Sequence, residues 1–190
     1  MRCSTPYSDA GAINAVSQIK LFIAALPATS AASDDVRSYD MVWLLHLIGD
    51  IHQPLHATER ISAINPDGDR GGNEVNVMPA TGETVDLHGY WDRMFGGYVS
   101  VPGAIYDAND KAGLAKVQVD GTKAKVLDPD MWTQESFVLG RKFAYAEPVL
   151  SEGTVAVLTR RYETDARNIA RSQAALAAAR LANVLNEAFK

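Results

Sequence analysis

The stretch Leu45-His46-Leu47-Ile48-Gly49-Asp50-Ile51-His52-Gln53-Pro54-Leu55-His56-Ala57 constrains this chain more than any other part of it. It gathers three of the four histidines and an aspartate into an otherwise apolar run. His46 and Asp50 are four apart, so on a helix their side chains share one face, with Cβ atoms about 5–6 Å apart. Pro54 cannot sit inside a helix, because its ring removes a donor and clashes with the preceding turn. The pattern therefore predicts a helix from about Asp35 that ends between Ile51 and Gln53. A turn then brings His56 back toward the His46/Asp50 face. A second His-x-x-x-Asp pair, His88 and Asp92, follows in Leu87-His88-Gly89-Tyr90-Trp91-Asp92. One histidine on an apolar helix would read as a hydrogen-bonded core residue. Two pairs with His56 between them read differently, because ionisable groups buried among Leu, Ile and Trp need their charge compensated. The pattern predicts a site for more than one borderline metal ion, and zinc takes both imidazole nitrogen and carboxylate oxygen.

The rest of the chain reads as mainly helical. Residues 8–27 carry a broad apolar face from Ile13 to Leu26, with Pro27 as the stop. Ser33 or Asp34 can cap the histidine-bearing helix, which is apolar nearly all round and so is expected to be buried. Residues 65–73, from Asn65 to Asn73, form a loop by composition. Val75 and Val77 alternate with polar neighbours, Ala80-Thr81-Gly82 turns, and Thr84 to Leu87 alternates again. This is the one convincing hairpin, and it delivers His88 to a short helix. Little periodicity marks 96–106. Helices are expected over 107–117, 131–145 and 154–189, and the last is Ala-rich, as befits a good helix former.

A chain of 190 residues with 47% hydrophobic content can bury an ample core as one domain. The net charge of −5 argues against capture of nucleic acid by a basic surface. It does not exclude phosphate chemistry in which metal cations supply the positive charge locally. Cys3 is the lone cysteine and leaves the redox compartment unread. The start has no charged-then-apolar leader, and no apolar run is long enough to span a membrane.

At His46–His56, Arg70-Gly71-Gly72-Asn73 and Leu87–Asp92 the chain resembles the S1/P1 nuclease family in its bacterial form. The likeness continues through Trp132-Thr133-Gln134-Glu135-Ser136 and the Ala-rich end, over roughly residues 37–187. It implies a mainly α, multi-helix S1/P1 nuclease–phospholipase C-like domain with a small β-hairpin, lacking the N-terminal part of that domain. It also implies a trinuclear zinc cluster that cleaves phosphodiester bonds of single-stranded DNA and RNA to 5′-phosphate products and dephosphorylates 3′-nucleotides. Carried over by residue, His46 and Asp50 match ligands of the first zinc, with Asp50 bridging to another. His56, His88 and Asp92 match the ligands of the zinc left open to water and phosphate. Family members also use an N-terminal tryptophan, an early histidine and an aspartate that acts on the attacking water. None of these has a match here. The resemblance places the water-activating aspartate before Met1, so no catalytic residue is named in this chain, and fewer zinc ions than three are expected. The same resemblance implies a secreted or periplasmic monomer with no membrane partner. Alternatives are a zinc phospholipase C-like phosphodiesterase and an inactive helical fragment that binds zinc for structure.

Three further residues stay open. Asn73 either contacts substrate or serves its own turn. His52, which matches no ligand, is expected in a hydrogen bond behind the metal or at the surface. Trp91 forms either an aromatic wall or part of the core.

Overall fold

The computed structural model describes residues 2–4, 13–95, 100–110 and 113–190. Its elements in order are β1 (Arg2–Ser4), α1 (Ala15–Ala25), α2 (Asp34–Asp50), a 3-10 turn at Pro54–Ala57, β2 (Glu59–Ile61), β3 (Asn76–Met78), β4 (Val85–Asp86), α3 (Leu87–Asp92), α4 (Val101–Asn109), a second 3-10 turn at Leu114–Lys116, α5 (Gly121–Ala124), α6 (Pro129–Leu139), a π-helical turn at Gly140–Ala144, β5 (Ala156–Val157) and α7 (Arg160–Ala188). The chain is mainly α, as its periodicity predicts.

Local chemistry accounts for the helix starts. Asn14 caps α1 reciprocally with Ser17, and the expected helical residues 8–12 lie outside the described residues. Ser33 caps α2 through Val36 N, and α2 ends at Asp50, a few residues short of Gln53. Gln53 adopts the extended backbone expected before a proline, and Pro54 opens the 3-10 turn. The expected hairpin forms, with Val77 opposite Val85 and Gly82 in the turn at φ 84°.

Four expectations need correction. The helix placed over 107–117 runs instead over Val101–Asn109. Ser100 accepts from Gly103 N and Pro102 fills the first turn, a start signal independent of hydrophobic period. The long last helix begins at Arg160, capped by Thr159, because Ala156–Val157 adds as a parallel strand beside β3. The hairpin thus becomes a three-stranded sheet, β4-β3-β5, and a separate β1–β2 pair joins the two chain regions antiparallel. The helix expected over 131–145 stops at Leu139 and passes into the π turn. Finally, α2 is not buried all round: Leu44 and Ile48 face the core, whereas Tyr39, Val42 and Leu45 are more than half exposed.

Two hydrophobic clusters hold the halves of the site. Ile19, Leu26, Leu44, Ile48, Ile51, Trp132, Ala177 and Val184 fix the back of α2. Leu55, Val77, Leu87, Trp91, Tyr145 and Tyr162 fix the 3-10 turn and α3. The 29-residue α7, about 43 Å long at 1.5 Å per residue, contributes to both, through Tyr162, Ala166 and Ala170 and then Ala177 and Val184. Its alanines let the backbones come close. Trp91 settles into the core, 2% exposed, with its indole N–H donated to the Tyr162 hydroxyl. Trp132 is likewise buried and donates to the Val126 carbonyl.

His52 is not at the surface. It is 1% exposed, its Nδ1–H donates to the Ile48 carbonyl at 2.7 Å, and its Nε2 accepts from the Arg180 guanidinium at 2.9 Å. Burial above all, with the Arg180 charge adding, drives its pKa down to about 4 despite the Ile48 bond, so the ring is neutral. Arg180, fully buried, also pairs with Glu135 at 2.8 Å and lies over Trp132. The network joins the end of α2 to α6 and α7. Ser136 adds a bond to the Ile51 carbonyl at 2.6 Å, satisfying one of the open carbonyls at the helix end.

Candidate metal centre

The helical spacing places His46 and Asp50 as expected: His46 Nε2 lies 3.0 Å from Asp50 Oδ2. The same spacing on α3 puts His88 Nε2 3.5 Å from Asp92 Oδ2. The 3-10 turn supplies the join. His56 Nε2 lies 3.2 Å from Asp92 Oδ1, and its Nδ1 lies 3.8 Å from Asp50 Oδ1. The five residues therefore form one continuous run, His46–Asp50–His56–Asp92–His88, across two helices and a turn.

Within that run, His56, His88 and Asp92 each offer a ligand atom, and the three atoms lie within 4.8 Å of one another. The two imidazoles stack, with centroids 4.8 Å apart and planes 11° from parallel. His56 and His88 are only 24% and 21% exposed, half-sheltered at the floor of a cleft. The other pair is more open, with His46 63% exposed and its ring edge-on to Trp43.

Groups behind the triad orient two of its members. His88 Nδ1–H donates to the Gly71 carbonyl at 2.9 Å, which selects the tautomer and leaves the Nε2 lone pair for a metal. Gln53 donates its amide to Asp92 Oδ1 at 2.9 Å, while its own carbonyl accepts from Leu55 N and caps the 3-10 turn. Burial alone would push the Asp92 carboxyl up. Hydrogen bonds from His56 and Gln53, and the facing histidine charges, outweigh it and hold the group at about 2, so it is ionised and ready to ligate. Two imidazoles and one carboxylate, with His88 and Asp92 held from behind, form a donor set that suits zinc.

The Gly71 carbonyl is aimed by a tight loop that requires glycine at position 71. Gly71 has φ 64°, and a Cβ there would sit 2.6 Å from the Leu55 carbonyl oxygen. Gly72, at φ 86°, lies against Leu87. Arg70 shares the left-handed backbone at φ 53°, a conformation costing a non-glycine residue about 1–2 kcal/mol. Buried Asp69 holds the loop, its Oδ1 accepting from Arg60 N, Gly72 N and the Tyr145 hydroxyl. Asn73 uses its amide nitrogen on the loop itself, donating to the Arg70 carbonyl at 2.7 Å.

Sequence reasoning assigns no role to Gln53, Asp69 or the Gly71 carbonyl. The Gly71-Gly72 pair is the available signal for a close backbone approach, but which ring it approaches depends on the fold. Replacing Gln53 with alanine is expected to weaken zinc binding about 10–100-fold, the usual effect of losing a group that orients a ligand. Titration against a chelating indicator reads this directly, and an unchanged affinity would remove Gln53 from the centre.

With this geometry in hand, comparison with known proteins decides the family. The sequence profile of the S1/P1 nuclease family matches residues 2–190. The chain belongs to the S1/P1 nuclease family. The match starts directly after Met1, well upstream of residue 37, where the readable motifs set in. Two relatives in Arabidopsis thaliana are similar over shorter stretches. Endonuclease 3 is 30% identical over 140 residues, which is 63% of this chain and 44% of that protein. Endonuclease 4 is 38% identical over 73 residues, which is 36% of this chain and 22% of that protein. The matched stretches thus span less than half the length of either relative. The expectation that the family's water-activating aspartate falls before Met1 concerns positions outside the described residues, as Met1 itself is. That role is therefore assigned to no residue of this chain.

Proposed function

We propose that this chain is a zinc-dependent hydrolase that cleaves phosphodiester bonds in single-stranded DNA and RNA, leaving 5′-phosphate ends, and removes phosphate from 3′-nucleotides. The observation that carries the reading is the His56–His88–Asp92 set in a chain of this family. Three protein ligands leave a coordination position open, as catalytic zinc sites do, whereas structural sites close with four. His56, His88 and Asp92 would hold a zinc ion there, which would supply positive charge for phosphate oxygens and lower the pKa of a bound water.

The chain's own residues do the positioning. His88 is locked in the Nδ1–H tautomer by Gly71, and Asp92 is kept anionic and oriented by Gln53. Asp50 presents one oxygen to His46 and the other toward His56, an arrangement that suits a carboxylate bridging two ions. The acidic net charge fits a nuclease whose phosphate contacts run through cations at the site and not through a basic face. The substrate role of Asn73 operates through the Arg70–Asn73 loop that its amide closes. We place the protein outside the cytoplasm, secreted or periplasmic, acting as a monomer. Among the described residues no helix is long and apolar enough to cross a membrane.

The test uses zinc-loaded protein with three substrates: a single-stranded oligonucleotide, the same sequence as a duplex, and phosphatidylcholine vesicles. Cleavage of the single strand to 5′-phosphorylated fragments, with the duplex and lipid left intact, is the expected result. Hydrolysis of the lipid in place of the oligonucleotide would assign the centre to a phospholipase, and no hydrolysis of any substrate with zinc bound would make the site structural.

A further inference from the structure

One side of the centre opens into a cleft of about 450 Å³ that Asp50, His56, His88 and Gly71 share with Glu59 and Arg70. Its titratable lining is acidic or imidazole except for Arg70. Among the described residues lining the cleft, Arg70 supplies the lone Lys or Arg charge. Its guanidinium takes part in no ion pair or hydrogen bond among the described residues. The carboxylate of Glu59, the obvious partner, instead lies against Gly68, where a Cβ would collide with it. The Arg70 backbone, in contrast, is tightly held. Its carbonyl accepts from Asn73 N and Asn73 Nδ2, and the Asp69 carboxylate before it accepts from Gly72 N. A left-handed arginine, anchored next to the glycine that orients His88, is thus fixed at its base and free at its tip.

We propose that Arg70 is a substrate-binding residue whose guanidinium grips a non-bridging phosphate oxygen beside the metal triad. This rests on the nuclease reading and names the group that holds the phosphate from the protein side. A planar guanidinium suits the task, because its paired N–H donors match two phosphate oxygens at once. An unpaired cation in an acidic chain also lets the cleft select anionic phosphate over neutral ligands. No bond is made or broken by Arg70; it orients the phosphate and stabilises its charge.

The experiment compares zinc-loaded wild type with Arg70→Gly and Arg70→Lys. Glycine accepts φ 53° without strain, so Arg70→Gly removes the guanidinium while leaving the loop at least as stable. Zinc content by elemental mass spectrometry and the thermal midpoint are expected to hold in both variants. The Kd for inorganic phosphate, measured by calorimetry, should rise about tenfold in Arg70→Gly, the size of one charge-assisted hydrogen bond. Arg70→Lys should recover part of it. On a single-stranded oligonucleotide, KM should rise more than kcat falls, and the log–log salt slope should shrink by about 0.7, one phosphate contact. A phosphate Kd and salt slope equal to wild type, or a wild type that binds no phosphate, would overturn the assignment. If wild type cleaves no oligonucleotide while Arg70→Gly still loses phosphate affinity, the nuclease reading fails and the anion site stands.

Discussion

Replacing His88 with alanine is expected to reduce single-strand cleavage by more than about 100-fold, beyond the 10–100-fold typical of losing a group behind a ligand. The substitution removes a ligand atom from the triad and the stacked partner of His56. It also strands the Gly71 carbonyl, whose bond from His88 ties the glycine loop to α3. His56 and Asp92 alone offer two protein ligands, too few to hold zinc against water. The fold should survive, because α3 is held by the Asp86 cap on Gly89 N and by buried Leu87 and Trp91. Elemental analysis of the variant should therefore show lost zinc in a protein with unchanged helical circular dichroism. Full zinc content with unchanged cleavage would mean that the reaction takes place elsewhere.

The largest stability effect is expected at Asp69. This carboxylate is fully buried, and its Oδ1 accepts three hydrogen bonds, from Arg60 N at 3.0 Å, Gly72 N at 3.1 Å and the Tyr145 hydroxyl at 2.8 Å. Its Oδ2 faces the Arg60 guanidinium at 3.5 Å. Arg60 is itself buried and otherwise reaches the Val149 carbonyl and, at 3.7 Å, Glu152. Alanine at 69 leaves that guanidinium short of its partner and removes the side-chain acceptor of Arg60 N and the Tyr145 hydroxyl, whereas Gly72 N keeps the residue-69 carbonyl. Breaking a buried ion pair from one side costs about 3–5 kcal/mol, which urea unfolding would register as a large drop in midpoint. The loop would also lose its anchor behind His88, so zinc affinity should fall in parallel. Asp69→Asn keeps the shape and one acceptor and should lose less. A midpoint for Asp69→Ala within about 1 kcal/mol of wild type, the size of an ordinary net hydrogen bond, would show that the loop is held by other means.

Both predictions turn on what is legible along the chain. The two His-x-x-x-Asp pairs are local. Four-residue spacing on a helix brings side chains together whatever the rest of the fold does, so both pairs can be read from residue order alone. The helix stop before Pro54, the Ser33 cap and the Val77–Val85 hairpin are legible for the same reason, each being decided by a few neighbours. The helix at Val101–Asn109 has apolar residues at helical spacing, Val101, Ala104, Ile105 and Ala108, yet it buries none of its residues, so its short stripe marks no core face. Its Ser100 cap and Pro102 carry the signal instead.

The rest depends on partners far apart in sequence. Gln53 finds Asp92 across 39 residues, Gly71 finds His88 across 17, and His52 finds Arg180 across 128. β5 joins β3 only because the chain returns past the hairpin. Hydropathy alone makes α2 look buried on every side, but only tertiary packing decides which apolar faces are covered. The sequence by itself determined the family, the helical character and the identity of the candidate ligands, because these follow from residue type and short spacing. The tertiary structure decided which histidine is neutral and buried, which carbonyl sets the His88 tautomer, and where Arg70 stands. Hydrogen bonds and desolvation act through space, and no short window of the chain contains them.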